Sequence, residues 1–376
     1  MSGPVFLGIS SLQDGRLDLS QSAFVSEEDF QAWTRRVTPR PDDVVFSYET
    51  RLGEAAIIPE GLRCSLGRRL ALMRPNTDRI QPRYLLYYFL GPEFQEVIRR
   101  NTVHGSTVDR IMLRDFPDFP VALPAIAEQR GIAATLGALD DKIESNRRAI
   151  ELTQALSRWT YVGWRAVHPN THDTTFGEFA DVFGGATPKT SEPGHWDGDI
   201  AWATPTDITA LTAPYLFGTA RMITKAGLAS TSATLHPAGT IFMTSRATIG
   251  SFAVAHVPAA TNQGFIAVQP RKPEHRWFLF AEMRARVPEM LDRANGSTFM
   301  ELSRGNFKLM PLGVPDEAAI AGLDSDLAPL HTKAAQLDRE SSRLAKLRDT
   351  LLPELLSGRI RVPEAHETVA EIAASV

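Results

Sequence analysis

The chain contains itself twice, and that constrains its architecture more than any other feature. Gly105-Ser106-Thr107 recurs as Gly296-Ser297-Thr298, 191 positions on, and Asp115-Phe116 and Pro124 recur at the same shift as Asn306-Phe307 and Pro315. Upstream, Val45-Phe46-Ser47 with Leu52-Gly53 matches Phe242-Met243-Thr244-Ser245 with Ile249-Gly250 at a slightly longer shift, the drift that short loop insertions produce. At 376 residues the chain exceeds what one hydrophobic core usually serves, so the duplication reads as two related domains.

Each copy runs through the same order of patterns. A β-rich part comes first, with short apolar runs at Val44 to Phe46, Ala55 to Ile58, Ile241 to Met243 and Phe252 to Val257 broken by Gly and Pro. A long helix follows. Leu136, Leu139, Ile143, Asn146 and Ile150 recur by threes and fours in the first copy, as do Ile320, Leu323, Leu327, Leu330, Ala334 and Leu337 in the second. That is the spacing of a coiled-coil seam, and narrow seams at matching repeat positions predict that the two helices pack on each other. Asn146 then either fixes the register of the seam or sits solvated at a helix edge. From Ala125 to Trp164 the first helix would be about 40 residues and roughly 60 Å long. Pro169 and the polar run Asn170 to Thr175 read as a linker. The expected division is a globular part over 1–122, a helix over 123–168, a second globular part over 169–314, a second helix over 315–360 and a tail over 361–376. The fold class is α/β (α+β), with β-rich domains in tandem and long helices between them.

The copies differ at one end. The second opens on Phe176-Gly177-Glu178-Phe179, and Met1 corresponds by the repeat shift to a position near 198. The first copy therefore lacks this opening, and because a shortened β-domain exposes a sheet edge, the expectation is that the true start lies upstream.

With 43% hydrophobic and 22% charged residues, the composition is that of an ordinary soluble globular protein. Met1-Ser2-Gly3-Pro4 has no basic start leading into an apolar core, and the densest apolar stretch, Tyr84 to Leu90, is too short to span a bilayer, which places the chain in the cytoplasm without a membrane partner. Cys64 stands alone, so it forms neither an internal disulfide nor a metal pair and reads as a buried structural thiol. A formal net charge of -4 argues against a bare basic nucleic-acid sleeve. It leaves room for a local basic face from Arg35-Arg36, Arg68-Arg69 and Arg99-Arg100, although any one of these arginines reads first as solvated surface.

Reactive constellations fare poorly. Asp42 with Glu49 and Arg51 imitates a nuclease's metal-binding acidic pair, but the second copy has Ala238-Gly239 in the first place and no acid in the second. Gly184 to Thr190 lacks the Gly-Lys-Ser or Gly-Lys-Thr ending of a phosphate loop. His168 and His172 have helical metal spacing, yet Pro169 breaks the helix between them. No Asn-Pro-Pro or Asp-Pro-Pro run of an amino-methyltransferase is present. The expectation is therefore no catalytic residue, no metal and no cofactor.

Several segments resemble the specificity subunits of type I restriction-modification systems. Gly184-Gly185-Ala186-Thr187-Pro188, Trp196 to Ile200, Ala201-Trp202-Ala203-Thr204-Pro205 with Asp207-Ile208, Ser245 to Gly250 and Asn262-Gln263-Gly264 are similar to that family's target-recognition domain. Leu123-Pro124, Glu128-Gln129-Arg130 and Leu139-Asp140-Asp141-Lys142-Ile143 resemble its helical region, and Leu351 to Ile360 its C-terminal end. The resemblance implies a non-catalytic reader of double-stranded DNA in which each globular part recognises half of a split target and the helices form an antiparallel coiled-coil spacer. It implies methyltransferase subunits, two of them, docked on that spacer, with a restriction and motor subunit able to join. S-adenosylmethionine would belong to the methyltransferase, and ATP and Mg to the motor. The missing opening of the first copy supports an alternative, a truncated or orphan specificity-like protein that occupies methyltransferase partners without reading a full target.

Within this resemblance the candidates for DNA contact are Tyr48, Arg51, Arg68 and Arg69 in the first copy, and Ser245, Arg246, Thr248, Asn262 and Gln263 in the second. Arg pairs bidentately with guanine, and Asn or Gln with adenine. Asn262 and Ser245 equally suit turns that bond their own backbone. Lys189 and Trp196 are candidates to position a phosphate or wedge against the DNA backbone, with core packing the other role for Trp196. The seam residues Leu136, Leu139, Ile143, Asn146, Ile150, Leu323, Leu327, Leu330 and Leu337 are the candidates for the spacer and its partners.

Overall fold

A strand whose successive residues are all apolar needs a core on each face, because side chains alternate across a sheet. Val44, Val45 and Phe46 make such a run, and Val44 and Phe46 enter one core while Val45 enters another. The same division recurs in the second copy, where Ile241 and Met243 enter one core and Phe242 the other.

The computed structural model describes residues 3–20, 22–296 and 300–365. Ser297 and Thr298 of the recurring Gly-Ser-Thr and most of the expected tail lie outside these residues. Two compact units are present, one built from the chain up to Ile143 together with the segment from Arg343 on, the other from Glu144–Ser342.

In the first unit the strands are β1 (Val5–Leu7), β2 (Ala23–Phe24), β3 (Val44–Ser47), β4 (Ala55–Ile57), β5 (Cys64–Leu66) and β6 (Leu70–Met73). Helix α1 (Glu27–Trp33) follows β2, and α2 (Pro82–Leu90) and α3 (Pro92–Arg100) follow β6. One sheet places β1 between antiparallel β2 and parallel β5, and the other places β3 between antiparallel β4 and β6. The Tyr84 to Leu90 stretch is the body of α2, buried through Tyr84 to Phe89. Cys64 is a buried free thiol, and burial pushes its pKa up to about 11.

The second unit holds β7 (Ala180–Gly184), β8 (Trp196–Ala203), β9 (Tyr215–Leu216), β10 (Met222–Ile223), β11 (Ile241–Thr244), β12 (Phe252–Ala255), β13 (Ala259–Thr261) and β14 (Phe265–Pro270). Strand β8 lies between antiparallel β10 and parallel β13, which repeats the arrangement of β1 with β2 and β5. Strand β11 lies between antiparallel β12 and β14, which repeats β3 with β4 and β6. Here the larger sheet has five strands, because β7 adds outside β14 and β9 outside β12. Among the described residues of the first unit, no strand pairs on the outer side of β6 as β7 does on β14.

The long helices are α4 (Ile126–Val167), 42 residues, and α5 (Glu317–Leu356), 40 residues. Helix α4 runs past Trp164 to Val167, where Pro169 disfavours helical geometry at His168, and the His168 N–H closes the last turn on Trp164 O at 3.1 Å. Both compact units take part of each helix, so the division falls inside the helices rather than at their ends. In the first unit Leu136 and Leu139 share a core with Leu347, Leu351 and Leu355, and Arg348 donates to Asp140 at 2.8 Å. In the second, Ile150 shares a core with Ala334 and Leu337, and Ser157 Oγ lies 2.9 Å from His331 Nε2. Residue numbers rise along one helix as they fall along its partner, so the pairing is antiparallel. Asn146, 2% exposed, donates to Glu340 at 2.9 Å, so it is a buried seam residue and not a solvated one. No helix among the described residues is long and apolar enough to cross a membrane.

Candidate nucleic-acid interface

The hairpin after β3 and the hairpin after β11 share a backbone pattern. Ser47 N–H donates to Glu54 O at 2.9 Å, and Thr244 N–H to Ser251 O at 2.9 Å. Thr50 and Ala247 both adopt the left-handed conformation, at φ 73 and 57, and Gly53 and Gly250 follow at φ 87 and 89. Only glycine takes that conformation freely, and for a β-branched threonine it is strained. Strain at the same place in two copies marks a loop whose shape is held from outside.

The restraint is a second segment in each copy. Thr50 N–H donates to Asp109 O at 3.1 Å and Ile111 N–H to Tyr48 O at 2.8 Å, while Ala247 N–H donates to Met300 O at 3.1 Å and Leu302 N–H to Ser245 O at 3.0 Å. Ile111 and Leu302 are buried, which anchors both braces in a core. A third segment joins them, since Tyr48 N–H reaches Arg69 O at 3.2 Å and Ser245 N–H reaches Gly264 O at 2.8 Å. Tyr48 therefore matches Ser245, Arg51 matches Thr248, and Arg68 matches Gln263.

The candidate residues take different positions around this loop. Arg68, Thr248 and Gln263 are exposed, and Gln263 accepts a hydrogen bond from Thr187 Oγ1 at 2.5 Å. Arg51 is exposed but bonded to Glu54 at 2.9 Å, and Arg69 to Glu49 at 3.2 Å. Tyr48 donates its hydroxyl to Arg68 O. Arg246 is exposed, and its Nε lies 2.9 Å from Glu301, so it is paired rather than free. Ser245, 3% exposed, has no open face for a base, and its backbone braces the loop. Asn262 turns its side-chain oxygen onto Gly264 N–H at 2.9 Å, which is the turn-forming role.

The glycine-rich run before β8 crosses the end of β13. Ala186 N–H donates to Thr261 O at 3.0 Å, and a side chain on Gly185 would collide with the carbonyls of Thr261 and Asn262, so the close approach requires glycine. Trp196 is buried, donates its indole N–H to Lys189 O at 3.1 Å, and carries Arg221 over its ring at 3.6 Å. Its surface is used up in the core, which corrects the wedge role. Lys189 is exposed and bears no ion pair among the described residues.

Sequence reasoning missed three features. A cleft of about 580 Å³ beside the Thr248 loop is lined by Thr209, Thr212, Ser251 and Arg284, and Arg284 has no acidic partner among the described residues. Arg110 and Glu301 face Glu49 and Arg246 across the two braces, a pairing legible only by aligning the repeat column by column. On α4, Leu152, Leu156 and Trp159 form an exposed apolar stripe, 72%, 54% and 68% open. The seam residues show the opposite pattern, with Leu136, Leu139, Ile150, Leu323, Leu327 and Leu337 buried and Ile143 and Leu330 half-buried. No group of three possible metal ligands occurs among the described residues.

The family described as "Type I restriction modification DNA specificity domain" matches residues 20–154 and again 171–320. The type I restriction enzyme MjaIX specificity subunit of Methanocaldococcus jannaschii is 36% identical over 141 residues, 37% of this chain and 32% of that protein, so the alignment spans about a third of the relative's length. A second chain of that organism, assigned to the specificity subunit of type I restriction enzyme MjaX, is 21% identical over 390 residues, 94% of this chain and 86% of the other. The crystal structure of the type I restriction-modification system S subunit from M. genitalium shares the fold, with a TM-score of 0.57 at 17% identity over 84% of this chain and 83% of that one. With both halves matched and the same loop built twice, the chain belongs to the type I restriction-modification DNA specificity family.

Proposed function

We propose that the chain is the non-catalytic specificity subunit of a type I restriction-modification complex, each copy reading one half of a split double-stranded DNA target. The observation that carries this reading is the duplicated hairpin loop. It is strained, braced from a core and rich in planar polar side chains, and it differs between the copies in those side chains while keeping its backbone. A conserved frame with exchanged side chains is what reading two different words requires, since bases are distinguished by donor and acceptor patterns.

The paired helices act as spacer, and the stripe of Leu152, Leu156 and Trp159 supports docking of a helical segment of a methyltransferase subunit, because its spacing of four and three is that of a helix laid along a helix. Two methyltransferase subunits and a restriction and motor subunit complete the assembly in the cytoplasm. S-adenosylmethionine, ATP and Mg are handled by those partners. The shorter sheet of the first copy favours a second reading, in which the chain occupies methyltransferase partners without reading a full target. Mapping methylated adenines genome-wide with and without the gene separates them. Loss of a two-part motif supports the first reading, and an unchanged methylation map overturns it.

A further inference from the structure

The two loops carry opposite charges at matched positions. Arg246 stands where the first copy has Glu49, and Glu301 stands where it has Arg110. The match rests on backbone geometry, because Glu49 is bridged to Arg110 as Arg246 is to Glu301, with the same hydrogen bonds on either side. In the second copy the pair closes on itself, with side chains 45% and 41% exposed. In the first, Glu49 turns to Arg69, where the second copy has Gly264 and no side chain to offer. Arg110 is left exposed, and its side chain has no ion pair or hydrogen bond among the described residues. Each copy thus presents one guanidinium at the same point of the loop, from opposite limbs.

We propose that Arg110 is the base-reading cation of the first copy, the counterpart of Arg246 on the other limb, with Glu49 held out of the way by Arg69. This rests on the reading of the copies as DNA recognisers. Guanine offers N7 and O6 side by side in the major groove, and a guanidinium meets both with a rigid planar fork, whereas an ammonium is a compact point charge on a flexible stem. Arg110 approaches a guanine without leaving a carboxylate. Arg246 must release Glu301, an exchange that is cheap because exposed ion pairs are weak.

The test is selection of a random-sequence duplex library by the purified full chain at low salt, followed by sequencing. The wild-type protein should enrich two separate words. Arg110→Ala should cost roughly ten- to a hundredfold in preference for guanine at one position of one word and leave the other word intact. Arg110→Lys should keep overall affinity while weakening the same preference by less than Arg110→Ala does. An unchanged profile for Arg110→Ala, or an equal loss across all sequences, overturns the role of Arg110 while the wild-type words stand. If the wild-type protein enriches no word, the reading of the copies as DNA recognisers fails and the inference fails with it.

Discussion

Arg246 and Glu301 show how much a residue's role depends on one neighbour. Arg246 sits on a strained loop, half exposed and paired with Glu301 at 2.9 Å, and on the proposed reading DNA competes with Glu301 for its guanidinium. Arg246→Ala is expected to relax preference at one position of the half-site read by the second copy, by about 1 to 3 kcal/mol, while the other half-site is unaffected. Competition binding with single-base variants of the target reads this directly, and equal weakening of every variant would make Arg246 a phosphate anchor. His331 is a second residue with a measurable consequence. Its ring nitrogens lie 2.9 Å from Ser157 Oγ and 2.9 Å from the Tyr215 hydroxyl, and it stacks on Trp277 at 3.7 Å. Burial, with the charge of Arg284 behind it, lowers its pKa from 6.5 to about 3. Between those values the unfolded chain binds the proton and the folded one does not, so stability is complete above pH 6.5 and falls with pH, by up to about 1.4 kcal/mol per unit. Urea midpoints from pH 7 to pH 4 should decline in the wild-type protein and decline less steeply in His331→Gln. Parallel slopes would remove His331 as the cause.

At the scale of elements, the long helices do two jobs at once. Leu139 lies in the same core as Tyr87 and Phe89 of α2 as well as Leu351 of α5, so the seam is also a wall of the first unit. Leu139→Ala should therefore lower the stability of that unit by about 2 to 5 kcal/mol rather than merely loosen a helix pair. Chemical denaturation followed by a probe in α2 would show it, and an undisturbed midpoint would mean that the helix packs only on its partner helix. The outer face of α4 is a contrasting case. Leu156→Glu with Trp159→Glu removes exposed apolar surface, so the melting temperature should hold while co-purification with the methyltransferase is lost. Retained co-purification would place the docking face elsewhere.

For the whole molecule, charge sets how it meets DNA. With 40 Lys and Arg against 44 Asp and Glu there is no surplus of cations, and Arg51, Arg69 and Arg246 at the loops are already paired with carboxylates. Arg68, Arg110, Lys189 and Arg284 remain as exposed cations without such partners among the described residues. With Arg110 assigned to a base, phosphate contacts from Arg68, Lys189 and Arg284 correspond to a slope of roughly -3 in log affinity against log salt. The chain alone should accordingly bind duplex DNA weakly at physiological salt and gain affinity with its methyltransferase partner. Titrations from low to physiological salt test this, and tight sequence-specific binding by the isolated chain would contradict it. Arg284→Ala should reduce the slope by about one without altering preference.

The duplication, the order of strands before helix and the seam of Leu136, Leu139, Asn146 and Ile150 were legible from the sequence alone. Periodicity and internal repetition are local properties, written into the spacing of residues along the chain. The apolar run at Val44 to Phe46 read as a strand, and only the structure showed it covered on both faces. The roles of particular polar residues were not legible. Ser245 and Trp196 looked available and are buried, because cores from distant segments close over them. Arg246 looked free and is paired, because Glu301 arrives from a segment more than fifty residues away. Arg110 looked unremarkable until the brace placed it opposite Glu49. Which elements form, and that they form twice, depends on neighbours in the chain and can be read there. Which side chains remain open to a partner depends on burial and ion pairing, and those are settled by neighbours in space.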